Sequence, residues 1–296
     1  MITLFTMPKP FVGHIDVIQR NAICSWTLLK PRPEIILYGN EEGTSEVARE
    51  LGVEHSPEVR VNASGTPLLS DFFLRASVQA KEPLLCYINA DIVLLSNFSE
   101  TLKDIGKWRE KFLAAGQRWD LDVREPLDFN ATEWESRLLE RAKKEGFQRP
   151  PNWVDYFIFD REYAKNLPPF AIGRSSWDNA LIWRALDSGR PVLDLSQKVQ
   201  VVHQNHDYSH HKGGTVGVWA GEEARENLRL AGGRRRLSTM LEATHICGTN
   251  GPELKKGQGV ERAGRYASGL MMDLRMNALE WSRPIRHALG IRKKKQ

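Results

Sequence analysis

The sequence predicts an α/β protein built on a mainly parallel central sheet flanked by helices, and three observations carry the prediction. Short apolar runs alternate with segments of helical period from Ile2 to His203. The apolar runs end in polar or turn-forming residues. The composition, 41% hydrophobic and 27% charged over 296 residues, is that of an ordinary globular chain long enough for one large α/β domain or two modest ones.

Taken in order, MITLFTMP reads as a first strand stopped by Pro8 and Pro10. DVIQRNAICSWTLL follows as a helix with Ile18, Ala22, Trp26 and Leu29 on one face, and PEIILYG as a second strand. EVARELG is a short helix. Thr66 and Pro67 have the spacing of an N-cap and first helical residue opening PLLSDFFLRASVQA, and PLLCYINADIVLL reads as the next strand. FLAAG, YFIF, VLDL and VQVVH are further strand candidates. Residues 124–151 read as a charged helical insertion with Trp134, Leu138 and Ala142 on one side. Such alternation implies a mainly parallel sheet with helices on both faces. After about His210 the strands are expected to stop, so that 1–215 form the domain and 216–296 a helical extension with a basic tail. In that extension RYASGLMMDLRMNALEW carries Leu270, Leu274, Ala278 and Trp281 on one helical side.

Several function classes are disfavoured by bulk properties. Cys24, Cys86 and Cys247 have neither the spacing of a thiolate metal site nor that of a disulfide framework. No apolar run reaches the roughly 18 residues of a membrane span, and the first residues lack the basic start and long apolar stretch of a signal peptide, so a cytoplasmic location is expected. The net charge of +5 is concentrated in the tail: Arg283 to Gln296 hold six of the 42 Lys and Arg and no acid, leaving 36 bases against 37 acids elsewhere. A nucleic-acid partner is therefore not expected. Peripheral contact of the tail with the inner face of a membrane is the alternative to a solvated end.

In open parallel sheets ligands sit beyond the carboxyl ends of the strands. That places Pro8, Lys9, the GNEEG loop, Asn89 and Asp91 near one crevice. Asp91 either caps the turn that follows it or pairs with a divalent cation, which accepts one or two carboxylates together with diphosphate oxygens. VQVVHQNHDYSHHKGG ends a strand with His203, followed by His206, His210 and His211; neutral imidazole ligates Mn²⁺, Zn²⁺ or Fe²⁺. His210 and His211 precede two glycines and read as solvated loop. Ser175 to Asp178 has capping-box spacing, so Asp178 is either a helix cap or a base at the crevice rim.

The N-x-D strand end at Asn89, the W-D-N turn at Trp177 and the strand ending H-Q-N-H resemble the GT-A-fold glycosyltransferases, over roughly Ile2 to Gly214. That resemblance implies an enzyme moving a sugar from a nucleotide-diphosphate donor to an acceptor hydroxyl on a glycan, a lipid-linked molecule or a small molecule. It implies Mn²⁺ or Mg²⁺ as cofactor, with Asn89-Ala90-Asp91 in place of the usual D-x-D. Asp91 would be the metal ligand, and His206, preferred over His203, would complete the site. Thr6, Pro8, Lys9, Gly39, Asn40, Glu41, Asn89, Ala90 and Asp91 would flank the nucleotide-sugar. Asp71 and Arg75 would either join them or form a surface i,i+4 pair. Trp153, Asp155, Arg174, Trp177 and Asn179 would meet the acceptor, with Asp178 as the base of an inverting reaction. Alternatives are a sugar nucleotidyltransferase, a metal-dependent hydrolase using His203 to His211, and a non-catalytic nucleotide-sugar-binding protein.

Overall fold

The computed structural model describes residues 1–108, 111–207, 214–249 and 251–288, with side chains described as far as residue 275. His210, His211 and the basic residues from Arg292 onward lie outside the described residues.

The first half of the chain holds β1 (Ile2–Thr6), α1 (Gly13–Thr27), β2 (Glu34–Tyr38), α2 (Thr44–Leu51), β3 (Glu54–Ser56), α3 (Leu69–Gln79), β4 (Leu84–Ile88), β5 (Ile92–Val93), α4 (Ser96–Ile105), β6 (Leu113–Ala115) and β7 (Trp119–Leu121). Then come α5 (Trp134–Glu145), β8 (Phe147–Gln148), β9 (Tyr156–Asp160), α6 (Trp177–Asp187), β10 (Val192–Asp194) and β11 (Val202–Gln204). The chain continues through α7 (Gly214–Ala220), α8 (Glu222–Ala231), β12 (His245–Gly248), β13 (Gly251–Leu254) and α9 (Gln258–Ala288).

The larger sheet runs β13-β12-β10-β6-β9-β4-β1-β2-β3. All its neighbours pair in parallel except around β9 and β13, so the mainly parallel sheet expected from the alternation is present. Period-two alternation divides its side chains: Phe5, Ile36, Tyr87 and Phe159 pack against α3 and α6, while Leu4, Leu37, Cys86 and Ile158 pack against α1, α2 and α4. With both faces covered, the strands read as almost continuous apolar runs.

Three sequence expectations are corrected. PLLCYINADIVLL is not one strand: it leaves the large sheet after Ile88 and joins a small sheet, β5-β11-β7-β8, at Ile92. Asn89 and Asp91 occupy the crossing between the sheets, which is why polar residues interrupt an apolar run. Thr66 and Pro67 do not open α3, whose N-cap is Leu68; Pro67 instead bridges to Val61. Strands do not stop near His210, because β12 pairs with β10 and β13 with β12, so residues after 215 complete the large sheet as well as forming helices. The helical insertion expected over 124–151 contains α5, whose Leu138 and Ala142 pack with Val93, Leu121 and Val202 on the small sheet.

The crossing is pinned from below. Gln204, fully buried, donates from Nε2 to the Ile18 carbonyl at 2.7 Å and the Asp91 carbonyl at 3.2 Å, and accepts from Asn21 Nδ2 at 2.9 Å. Trp26 adds an indole hydrogen bond to the Ile92 carbonyl at 2.8 Å. Replacing Gln204 by Leu strands these groups without water, at about 1–3 kcal/mol for an unmet buried partner. Gln204→Leu should lower the unfolding free energy by about 2–3 kcal/mol in a urea titration; an unchanged midpoint would remove the network from the account of Asp91's position.

Candidate active site

The site grows from the two-sheet crossing. Asp91 ends it, Lys9 arrives on the loop after β1, and His203 and His206 come from β11 and the turn beyond it. Asp91 Oδ2 lies 3.1 Å from His206 Nε2 and 3.9 Å from both His203 Nε2 and Lys9 Nζ. The carboxylate and the two imidazoles offer ligand atoms that all lie within 4.8 Å of one another. Asp91 Oδ1 is buried and has no hydrogen-bond partner. Burial by itself would raise the Asp91 carboxyl, but His203, the His206 hydrogen bond and Lys9 outweigh it and hold the group well below the ordinary carboxylate range.

The tautomers favour ligation. His206 Nδ1 sits 2.6 Å from the Asp207 carbonyl, to which it can only donate; Nε2, facing Asp91 and Lys9, donates to Asp91 when the ring is protonated and presents a lone pair to a cation when it is neutral. His203 Nδ1 faces Asp120 Oδ1 at 3.3 Å, leaving Nε2 on the Asp91 side. The approach is electrostatic, since His203 Nδ1 is buried without a hydrogen-bond partner, and it places Asp120 behind the ring, on the side away from Asp91. Two imidazoles and one carboxylate, one of whose oxygens is buried and orphaned, therefore fit a divalent cation, and nitrogen ligands suit Mn²⁺ better than Mg²⁺.

A second, larger charge network braces the first. Asp120 accepts from Arg118 Nε at 2.8 Å and Arg149 Nε at 2.5 Å; burial opposes its ionisation, yet His203 and the arginines bring its carboxyl down to about 2. Arg118 reaches across to Asp155, and Asp155 Oδ1 accepts from Asn89 Nδ2 at 2.6 Å. Asn89 Oδ1 in turn accepts from the Tyr87 hydroxyl at 2.7 Å. Asn89 thus ties Asp155 to the Asp91 turn, its amide being occupied on both ends. Arg118 and Arg149 stack over Trp153, at 5.2 and 4.7 Å from the ring centroid, and Trp153 meets Trp219 at 5.1 Å.

Asp178 is not a helix cap. The N-cap of α6 is Ser176, in the left-handed region at φ 84° with no side-chain cap bond, and Asp178 Oδ1 is buried without a partner. Ser175 is held instead by α7, its N–H and hydroxyl donating to the Val218 and Trp219 carbonyls. Burial pushes the Asp178 carboxyl up to about 7; first-turn amides and Arg118 oppose the rise, and Asp155 adds to it.

The remaining candidates divide. Thr6 lies buried at the end of β1 with its hydroxyl unpartnered, Pro8 is buried, and Gln19 clamps the Lys9 backbone with bonds of 2.7 and 2.8 Å. Burial lowers the Lys9 ammonium against the pull of Asp91 and Asp155. Gly39 turns at φ 89°, where a Cβ would stand 2.8 Å from Met7 Sδ, and it leads to exposed Asn40 and Glu41. Ala90 is buried in the crossing and Trp177 packs edge-on to Tyr87 at 5.5 Å. Asp71 and Arg75 pair with one another at 2.9 Å. Arg174 pairs with Glu223 at 2.7 Å, and Asn179 donates to the Asn152 and Ser238 carbonyls. The sequence reading missed Arg118 and Asp120; the signal available was the alternation R-W-D-L, which puts both charges on one face of a short strand.

No family model matches the chain. No curated protein matches it either. Among solved structures it is similar to glucosyl-3-phosphoglycerate synthase from Mycobacterium tuberculosis in complex with Mg²⁺ and UDP, at 14% identity and TM-score 0.47, over 78% of this chain and 79% of that one. The same enzyme with Mn²⁺, UDP-glucose and phosphoglyceric acid gives 16% identity and TM-score 0.44, over 78% and 80%. TarS of S. aureus gives 15% identity and TM-score 0.48 over 78% of this chain and 38% of its own. Likenesses this distant carry no argument about the reaction, which rests on the residues themselves.

Loss of an orienting carboxylate commonly weakens metal binding by about 10–100-fold. Asp120→Asn should lower Mn²⁺ affinity in calorimetry by about that factor, and Asp120→Glu should restore part of it. Equal affinity in Asp120→Asn and wild type would detach Asp120 from the metal site.

Proposed function

We propose that the chain is a GT-A-type glycosyltransferase that moves a sugar from a nucleotide-diphosphate donor to an acceptor hydroxyl, with Mn²⁺ or Mg²⁺ held by Asp91, His203 and His206 and Asp178 as the base of an inverting reaction. The observation that supports it best is the pairing of a buried three-ligand cation site with a separate carboxylate pushed up to about 7. A cation bound there supplies positive charge to the departing diphosphate. Lys9 offers a second positive charge from the loop after β1, and the Gly39 turn after β2 forms the adjoining wall for the nucleotide. On the other side, Trp153 gives the acceptor an aromatic surface above Arg118. Asp155 is committed to Asn89 and Arg118, which leaves Asp178 with an uncommitted oxygen to take the acceptor proton.

The same three ligands would also serve a metal-dependent hydrolase. Transfer is favoured because Asp178 stands apart from the ligand set, and the products separate the two: a hydrolase releases free sugar whether or not acceptor is present. A nucleotidyltransferase is less well supported, since the loop after β1 is a Gln19-clamped TMPKPFVGH and not a Gly-rich cradle.

Asp91→Ala should abolish Mn²⁺-dependent stabilisation in a thermal-shift panel of nucleotides and nucleotide sugars, where shifts follow mass action. Equal shifts in variant and wild type would end the metal assignment.

Asp178 predicts a distinct pattern. With donor and acceptor saturating, transfer should fall about tenfold per pH unit below about 7. The raised carboxyl favours the protonated form in the fold, so its stability contribution is full below the unfolded value of 3.8, declines as pH rises and is gone above about 7. Asp178→Asn removes that decline. It should therefore melt above wild type at pH 8 while transferring sugar about a hundred to ten thousand times more slowly. A variant that transfers at wild-type rate places the base elsewhere.

A further inference from the structure

We propose that the outward face of α9 is a docking surface for an anionic lipid membrane. Over its described side chains, the helix is fixed to the body by one side. A Cβ at Gly269 would come within 2.7 Å of the Arg235 backbone, Arg265 Nε pairs with Glu242 at 2.7 Å, and Asp273 accepts from the Arg234 and Arg235 amides at 3.0 and 3.3 Å. Half a helical turn away the surface is apolar and open to solvent. Val260, Met271 and Leu274 are 79%, 69% and 60% exposed, and Ala267 between them is exposed as well. At about 100° per residue these four fall within one stripe, nearly opposite Gly269. Of the residues that the sequence places on one helical side, Leu270 is half-buried and Leu274 faces out.

The stripe continues in the sequence at the same alternating spacing through Ala278, Trp281 and Ile285, and charge selects its occupant. From Gln258 to Gln296 there are nine Lys or Arg against three acids, and Asp273, one of the three, is already used to hold the helix down. A basic helix with an apolar stripe lies in the plane of an anionic interface, its apolar side in the acyl boundary and its cations among the headgroups. No helix among the described residues is long and apolar enough to cross a membrane, so the contact is a surface one. A second copy of the chain fits less well. It carries the same excess on this segment, nine Lys or Arg against three acids, and is therefore repelled.

The test is flotation of the full chain with phosphatidylcholine vesicles and with vesicles of phosphatidylcholine and phosphatidylglycerol in equal parts, at about 0.05 M and about 0.5 M salt. The protein should float with the anionic vesicles alone and less at high salt. Met271→Glu with Leu274→Glu alters exposed positions and should keep the melting temperature while lowering partition by about tenfold or more. Lys293→Gln, Lys294→Gln and Lys295→Gln together leave the stripe intact and should lower it comparably. Absence of flotation for wild type, or wild-type flotation of the glutamate variant, overturns the proposal. Sedimentation showing a dimer that Leu274→Glu dissociates, with no vesicle binding, gives the stripe to a second copy instead.

Discussion

Asp91 is a carboxylate taken out of water at the point where the chain passes from one sheet to another, and its charge has to be answered there. A buried carboxylate without partners takes up a proton. Here two imidazoles and an ammonium converge on one of its oxygens, and the other is left buried and unsatisfied. The ionised form wins, and the site is strongly polarised even before any ligand is considered. That local imbalance explains why the surrounding residues are so tightly braced. The crossing has to be held from below by Gln204 and Asn21, from the side by Gln19 gripping the Lys9 backbone, and across the crevice by the Asn89–Asp155–Arg118 chain.

The small sheet exists to serve that arrangement. β11 supplies His203 and runs parallel to β7, which supplies Asp120 at the same level, since His203 and Asp120 are register partners. β5 returns antiparallel on the other side, with Ile92 opposite His203. Three short strands thus put His203 between Asp120 and Asp91 without any long-range loop having to find the geometry. The second half of the large sheet serves the other wall: β9 begins directly after Asp155, and Asp178 is the second residue of α6. The Ser175 turn is gripped by α7, which is why Ser176 can occupy a left-handed conformation that an isolated helix start would avoid.

Much of this was legible in the sequence, and the failures have physical causes. Asn89, Asp91 and His203 announced themselves because polar groups are costly inside apolar runs, His206 followed from its spacing to His203, and the helix faces of α1 and α5 followed from period alone. Periodicity could not show that Ile88 and Val93 belong to different cores, because both are buried and hydropathy does not record which neighbour buries them. β12 and β13 escaped notice because Gly248, Gly251 and Pro252 give them the look of loop, a composition an edge strand tolerates. The capping-box spacing at Ser175 was a true local preference overruled by tertiary contact. Arg118 and Asp120 were lost because a strand of three residues is too short to declare its alternation.

The deeper regularity is that two buried carboxylates, each close enough to feel Arg118, are driven to opposite behaviour. Asp91 and Asp178 are both buried, and burial pushes both upward. What differs is the company. Asp91 faces His203, His206 and Lys9, whereas Asp178 faces the negative Asp155, with Arg118 largely spent on neutralising Asp155 and Asp120. Arg118 therefore does more than pack beneath Trp153: by satisfying two acids it leaves the third without a cation. One group is thereby fixed as an anion suited to hold positive charge, and the other is poised near neutrality to exchange a proton. A fold that needed only a stable core would have little reason to keep Asp178, because a carboxyl raised by burial costs stability as pH rises toward neutrality and adds no apolar contact.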